Sequence, residues 1–366
     1  MSVEPLRVVV AGGGTGGHLF PGIAVARELL ARRPDAVVTF AGTAQGIEAR
    51  VIPHEGFALD LLRSSGLKGK GLGARLAGAR RIPLGLLDAW RIVSRRQPQL
   101  VIGVGGYSSG PVVMVAALRG IATMLLEQNA VPGLTNRLLA RFVRAAAVSF
   151  DSTTVFFGGK AFVSGNPVRP EFVQGGATDA ERTGGHDTGI RVLVFGGSQG
   201  AHAINVAMVE AASILAERNS LRLTHQTGAR DVEMVRGGYR DAGLQAEVEP
   251  FLYDMGRRIA EADLIVCRGG ATTLAEVTAA GKAAIVIPLP TATDDHQRKN
   301  AEALAGVGAA ELLVQSQASG ATLAARILAL ADDAPRRRQM AVAARTLARP
   351  DAARVIVDRA LALAGE

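Results

Sequence analysis

A single cysteine, Cys267, stands in the 366 residues, which excludes an internal disulfide and any cysteine-based metal cluster. Aromatic side chains are scarce, at 4%. That leaves few platforms for stacking unpaired bases and disfavours single-stranded nucleic acid as a partner. Long apolar runs are missing as well. The longest one unbroken by glycine or proline is Val112–Leu118, far short of the ~18 residues that span a bilayer. Glu4 and Pro5 precede an immediate strand pattern, where a signal peptide would carry a basic stretch and an apolar core. Together these features predict a cytoplasmic protein.

Acid is short in one half only. Residues 1–165 hold 19 Lys and Arg against 9 Asp and Glu, a net of +10; the remainder holds 22 against 24, a net of −2, and the sum is the chain's +8. A basic half beside a near-neutral half predicts that one half meets an anionic surface, nucleic acid or lipid. The excess is densest from Arg63 to Arg96. There Arg63, Lys68, Lys70, Arg75, Arg80, Arg81, Arg91, Arg95 and Arg96 face one acid, Asp88, with Leu72, Leu76, Ile82, Leu84, Leu86, Leu87 and Trp90 interleaved. Part of this segment is expected to pack Leu84, Leu87 and Trp90 into a core.

What the chain does contain is a repeated alternation of short apolar runs and helix-length segments. Strands are expected at Arg7–Ala11, Val37–Ala41, Leu100–Val104, Thr123–Leu126 and Ala146–Phe150, then at Val192–Phe195, Arg222–His225, Leu264–Cys267, Ala284–Ile287 and Glu311–Val314. Helices such as Ile23–Arg33, Ala201–Arg218 and Thr272–Ala280 lie between them. This order predicts an α/β protein with parallel sheets covered on both faces. The length calls for two domains, and the glycine-rich, polar stretch 173–189 reads as a loop near their boundary.

Glycine gathers where four of these strands end: "AGGGTGGHLF", "GVGGYSSGP", "FGGSQGAHAIN" and "CRGGATTLAE". A strand, glycine turn and helix present N–H groups and a helix N-terminus that favour an anion. Gly12, Gly14 and Gly17 fit the dinucleotide fingerprint. Yet the second strand ends Phe40-Ala41-Gly42-Thr43, without the acid that holds a ribose. Gly17 is followed by His18-Leu19 rather than the Lys-Ser/Thr of a phosphate-binding P-loop. A dehydrogenase also needs only one such turn. Thr273 and Glu276 are spaced as a capping box; Glu276 is equally placed to hold a ribose, and spacing does not separate the two. Two open sheets facing each other suit a nucleotide-linked donor on one domain and an acceptor on the other.

In order along the chain, "GGGTGGHLFPGIAVA", "GVGGYSSGP", "EQNAVPGLTNR", "GNPVR", "GGSQGAHAIN", "CRGGATTLAE" and "DDHQRKNA" closely resemble the MurG family, the peptidoglycan N-acetylglucosaminyltransferases that convert lipid I to lipid II. By motif the resemblance runs from Val8 to Ala301. Each motif alone is weak, and seven in one order are specific. The resemblance implies the glycosyltransferase B fold, α/β with two Rossmann-like domains facing a cleft. Residues 1–165 would bind acceptor and membrane and residues 166–349 UDP-GlcNAc, with a last helix near 350–366 packing back on the first domain. It further implies inverting transfer of GlcNAc to the MurNAc 4-hydroxyl of lipid I, undecaprenyl-pyrophosphoryl-MurNAc-pentapeptide. The product would be the β-1,4 linkage of lipid II, made at the cytoplasmic face of the cell membrane.

Carried over motif by motif, the resemblance puts Thr15, Gly16 and Gly17 under the sugar and reacting centre, and Asn129 on the sugar. Arg169 falls near the diphosphate, Ser198 on a phosphate, and a backbone group of Leu252 on the uracil edge. Ala271, Thr272, Thr273, Leu274, Ala275 and Glu276 line ribose and phosphate, with Glu276 on the ribose hydroxyls, and Gln297 lies near the sugar hydroxyls. Family members often carry His before Glu-Gln-Asn; here it is Leu126, which leaves His18 and Glu127 as candidate bases. A histidine, with an ordinary pKa of ~6.5, suits proton removal near neutrality; capping or substrate orientation is the other reading of His18. With N–H groups, a helix dipole and Arg169 on the leaving diphosphate, no metal or other cofactor is required. Asp294-Asp295 alone is poor evidence for a metal site.

The basic segment 63–96 then reads as a peripheral membrane attachment. Lys and Arg near an anionic bilayer add about 1 kcal/mol each, and apolar neighbours dip into the interface. No nucleic-acid partner is expected. The rival readings are a same-fold glycosyltransferase with another acceptor, a UDP-GlcNAc 2-epimerase, and a nicotinamide-binding protein.

Overall fold

The computed structural model describes residues 4–63, 72–173, 189–197 and 200–365, and the side chains of all of these but 72–82, 170 and 173. The chain divides into two compact units, Met1–Pro167 with Arg349–Glu366, and Val168–Ala348.

The first unit holds seven parallel strands: β1 (Arg7–Gly12), β2 (Val37–Gly42), β3 (Ala58–Leu61), β4 (Leu100–Gly105), β5 (Ala122–Glu127), β6 (Ala145–Val148) and β7 (Ala161–Val163). Their order is β3-β2-β1-β4-β5-β6-β7. Helices α1 (Gly16–Arg32), α2 (Glu48–His54), α3 (Leu72–Arg96), α4 (Ser109–Leu118) and α5 (Leu134–Leu139) connect them. The second unit holds β8 (Ile190–Phe195), β9 (Leu221–Gln226), β10 (Ala246–Glu249), β11 (Leu264–Cys267), β12 (Ala283–Val286) and β13 (Ala310–Leu312), parallel in the order β10-β9-β8-β11-β12-β13. Its helices are α6 (Pro170–Val173), α7 (His202–Ala216), α8 (Val232–Asp241), α9 (Met255–Glu261), α10 (Ala271–Ala279), α11 (His296–Gly306), α12 (Gly320–Asp332) and α13 (Ala334–Leu347). The last helix, α14 (Ala352–Ala364), belongs to the first unit. Its Ile356, Val357 and Ala360 join the core formed by Leu19 and Ile23 of α1, and Asp358 pairs with Arg32.

The strand runs are apolar at every position because both faces are covered. Val8 and Val10 enter one core, Val9 and Ala11 the other. Three strands that periodicity does not reveal, β3, β7 and β10, stand at sheet edges and are partly exposed. An edge strand buries less of its surface, so "ALDL" and "AEVE" carry no continuous apolar run. Residues 174–188, most of the expected boundary loop, lie outside the described residues.

Strand order reverses direction between β1 and β4 and again between β8 and β11. In open α/β sheets such switch points are where ligands bind, beyond the carboxyl ends of the strands. The four glycine segments leave these four strands.

Candidate active site

In the first unit the two glycine turns touch. A Cβ on Gly106 would come within 2.6 Å of the Gly13 carbonyl oxygen, and one on Gly105 within 2.7 Å of the His18 ring. Glycine on β4 therefore lets the imidazole lie directly over main chain. Thr15 starts α1 with extended backbone, and its Oγ1 stands 3.2 Å from His18 Nδ1. Thr15 and Gly17 are exposed, Gly16 and His18 half-buried. The turn that follows β1 is not built for phosphate. Its Gly14 N–H donates to Oε2 of Glu48 (2.8 Å), and Thr43 donates through its N–H and hydroxyl to Oε1 (2.9 Å each). A phosphate brought to this turn would meet a carboxylate already on its donors. The sequence reading missed Glu48; the available signal was an acid beside Gly42 and Gly46.

Glu127 ends β5 and is 3% exposed. Its Oε1 accepts from the N–H (3.0 Å) and Nδ2 (3.3 Å) of Asn129, and its Oε2 from the Gly133 N–H (3.0 Å) and Asn136 Nδ2 (2.9 Å). Burial pushes this carboxyl above its ordinary range, against the pull of those donors. Four N–H donors use up the lone pairs of a carboxylate. The expectation of Glu127 as a base therefore gives way to an anchor for the loop that carries Asn129. Glu127→Ala strands those donors in the interior, and is expected to cost about 3 kcal/mol of unfolding free energy in urea titration; a loss below 1 kcal/mol would contradict the anchoring role.

In the second unit, Ser198 lies outside the described residues. The glycine turn after β8 is clamped from behind. Gly200 has φ +73°, and a Cβ there would come within 1.8 Å of the Thr227 carbonyl oxygen, so no other residue fits. Asn205 donates to that oxygen (2.9 Å) and to Asp231 (2.8 Å), and its Oδ1 faces His225 Nε2 (3.1 Å). His225 Nδ1 lies 2.7 Å from the Tyr239 hydroxyl, and burial pulls the imidazole down to about 3, leaving it neutral. Gln226 donates to the Gly197 carbonyl (2.9 Å) and accepts from the Leu252 N–H (3.0 Å). Leu252 thus spends its N–H inside the protein. A ligand edge reading this main chain would have to displace Gln226 or use the Leu252 carbonyl.

The turn after β11 opens α10 at Ala271, with Gly270 before it and no side chain capping it. Thr272 and Thr273 fall inside the first turn, so the expected capping box of Thr273 and Glu276 does not form. Leu274 points into the core and its N–H is spent on the Gly270 carbonyl (2.9 Å), while Ala271, Thr272, Thr273 and Ala275 are half-buried. Glu276 is buried and faces Arg169 Nη2 (3.4 Å). Arg169 also pairs with Glu171 (3.0 Å) and lies 4.7 Å over the Phe172 ring. Burial pushes Glu276 up to about 7, with Arg169 opposing and Glu171 adding to the rise. Gln297, in the first turn of α11, accepts the Leu289 N–H (3.0 Å), and its carbonyl oxygen would stand 2.4 Å from a Cβ on Gly269. The sequence pattern assigns no role to Arg268, which precedes Gly269 and Gly270. It is 8% exposed, donates to the carbonyls of Ile287 (3.0 Å) and Pro288 (3.2 Å), and has no carboxylate partner among the described residues. A guanidinium fixed beside the start of α10 adds to the positive potential of that helix end.

The basic segment departs from expectation. α3 turns Gly85, Ala89, Ile92 and Val93 inward. A Cβ on Gly85 would stand 3.0 Å from the Arg63 carbonyl oxygen, so small residues let the helix sit close. Leu84, Leu87 and Trp90 are left on the outside, Trp90 at 53% exposure with Arg119 stacked 4.9 Å over its ring. Lys68 and Lys70 lie outside the described residues, as do the side chains of Arg75, Arg80 and Arg81. Among the described residues no helix is long and apolar enough to cross a membrane.

Two parallel sheets with glycine turns at both switch points, and a carboxylate paired with arginine beside one of them, define a two-domain nucleotide-sugar enzyme. The chain belongs to glycosyltransferase family 28: the family's N-terminal domain matches residues 8–148 and its C-terminal domain residues 191–356. Within that family it is 47% identical to the UDP-N-acetylglucosamine--N-acetylmuramyl-(pentapeptide) pyrophosphoryl-undecaprenol N-acetylglucosamine transferase of Pelobacter propionicus, over 97% of this chain and 99% of that protein. Identity to the transferase of the same name from Myxococcus xanthus is also 47%, over 96% and 92%. The crystal structure of Acinetobacter baumannii MurG superposes with a TM-score of 0.80 at 33% identity, covering 98% of this chain and all of that one. A UDP-N-acetylglucosamine 2-epimerase, at 16% identity and a TM-score of 0.68, shares the fold alone.

Proposed function

We propose that this chain transfers N-acetylglucosamine from UDP-GlcNAc to the MurNAc 4-hydroxyl of lipid I, giving the β-1,4 linkage of lipid II. The observation that carries this reading is 47% identity over almost the whole chain to transferases of that name. The acceptor oxygen attacks the anomeric carbon from the face opposite the diphosphate. The bond from that carbon to UDP breaks, and its electron pair leaves with UDP. His18 takes the proton of the attacking hydroxyl. Thr15, Gly16 and Gly17 surround the reacting centre, and Asn129 and Gln297 take sugar hydroxyls. Glu276 accepts from the ribose hydroxyls, and the Leu252 main chain reads the uracil. Charge developing on the diphosphate falls to Ser198, as the family motif implies, and to Arg169, Arg268 and the first turn of α10.

Transfer of radiolabel from UDP-GlcNAc to lipid I tests the reading. Labelled lipid II is expected. Folded protein that binds UDP-GlcNAc yet never labels the lipid would sink the acceptor assignment. Appearance of the 2-epimer of the donor without acceptor would favour the epimerase reading instead.

Membrane attachment belongs to the same proposal. Leu84, Leu87 and Trp90, among the arginines of α3, would dip into an anionic interface. Leu87→Ser with Trp90→Ser removes roughly 1–2 kcal/mol of apolar burial. Binding to vesicles containing phosphatidylglycerol should weaken about tenfold by sedimentation; equal sedimentation of variant and wild type would place the attachment elsewhere.

A further inference from the structure

We propose that Glu48 is a positioning residue for this transfer, holding the turn that carries Thr15 and His18; the inference rests on His18 acting as proposed above. Glu48 is 1% exposed and forms no ion pair among the described residues. A carboxylate taken out of water is costly unless hydrogen bonds replace its hydration, and an apolar side chain of the same size would fill the space without that cost. The hydrogen bonds it makes are therefore the reason for its presence. One oxygen takes both donors of Thr43 (2.9 Å each), fixing it to the turn after β2; the other takes the Gly14 N–H (2.8 Å) in the turn after β1.

The space around the carboxylate is emptied from three sides. A Cβ would stand 2.5 Å from its Cδ at Gly13, 2.6 Å from its Cγ at Gly42 and 2.0 Å from its Oε2 at Gly46. Gly14 directly precedes Thr15, whose carbonyl takes the N–H groups of His18 (3.3 Å) and Leu19 (3.1 Å) and whose hydroxyl meets His18 Nδ1. The imidazole is thus set between the Thr15 hydroxyl and the Gly105 main chain, and the position of Thr15 is set through Gly14 by Glu48. An error of about 1 Å at a reacting group costs on the order of 100-fold in rate.

The test uses the full chain with UDP-GlcNAc and lipid I in detergent. Glu48→Gln keeps the shape but turns an amide NH2 toward N–H donors. Its kcat is expected to fall about 10- to 100-fold, with the KM for UDP-GlcNAc within about twofold, since the donor's nucleotide is held by the second unit. In a His18→Ala background the same change should cost less than about threefold, because residues that act as a unit are not additive. Thr43→Val, which removes one donor and little volume, covers the case in which Glu48→Gln fails to fold, and should lower kcat about threefold in the same His18-dependent way. Ring 15N resonances of His18, identified by their loss in His18→Ala, give a readout without turnover: one fixed tautomer in wild type, averaged in Glu48→Gln. Unchanged kcat, multiplicative losses in the double variant, or unmoved His18 resonances would each overturn the proposal. A wild-type chain that transfers nothing, but whose His18 resonances respond to Glu48→Gln, would sink the functional reading and leave the hold of Glu48 on His18 standing.

Discussion

His18→Ala is expected to lower kcat about 10²- to 10⁴-fold, the range supplied by a positioned general base, while UDP-GlcNAc binding stays within about threefold. The two effects separate because of where the groups lie. His18 sits on α1 at the β1/β4 switch point of the first unit, whereas Arg268, Glu276 and Gln297 lie at the carboxyl ends of β11 and β12 in the second. The pH profile offers a second check. A histidine must be neutral to accept a proton, so wild-type kcat at saturating substrates is expected to fall toward acid pH. The limb should vanish in His18→Ala. A rise in KM with unchanged kcat would instead make His18 a binding group.

Glu276→Gln is expected to do two opposite things. Donor affinity should fall about 10- to 100-fold, since hydrogen bonds from ribose hydroxyls to a charged carboxylate contribute roughly 1.5–3 kcal/mol. The ligand-free protein should become more stable above neutral pH. The carboxyl is raised from 4.5 to about 7, so between those values the folded chain holds a proton that the unfolded chain has released. Stability therefore falls as pH rises from 4.5 through 7, and above 7 the full penalty is present, on the order of 3 kcal/mol. The glutamine variant escapes it, and Arg169 keeps Glu171 as its partner (3.0 Å). Melting curves at pH 8 should place Glu276→Gln several degrees above wild type, with the gap closing toward pH 4. UDP-GlcNAc should raise the wild-type midpoint more than that of the variant. A variant that melts lower at pH 8 would mean that the ion pair with Arg169 outweighs the burial of the carboxylate. The same protonation weakens donor binding in wild type as pH falls below 7.

The two candidate-site residues behind these predictions were legible for different reasons. His18 follows a glycine turn at a strand end, a local pattern. Glu276 was legible as an acid one turn into a helix with two roles open; the structure closes only the capping role, since Gly270 stands at the N-cap, and turns the carboxylate toward Arg169, 107 residues away in sequence. Glu127 looked like a base by type and place. Its enclosure by Asn129, Gly133 and Asn136 appears only once the loop has folded back on it.

By itself the sequence determined the alternation of strand and helix, the two similar halves, the glycine turns and the order of motifs that marks the family. Those features rest on spacing of two or 3.6 residues and on the few residues that a tight turn admits, so they are written between near neighbours. Only the tertiary structure decided which charges are enclosed and which apolar groups face water. Glu48 is caged by glycines from two turns, and α3 seats Gly85 and Ala89 inward so that Leu84, Leu87 and Trp90 stay outside. Burial and hydrogen-bond partners depend on groups brought from distant positions, and no local periodicity carries that information.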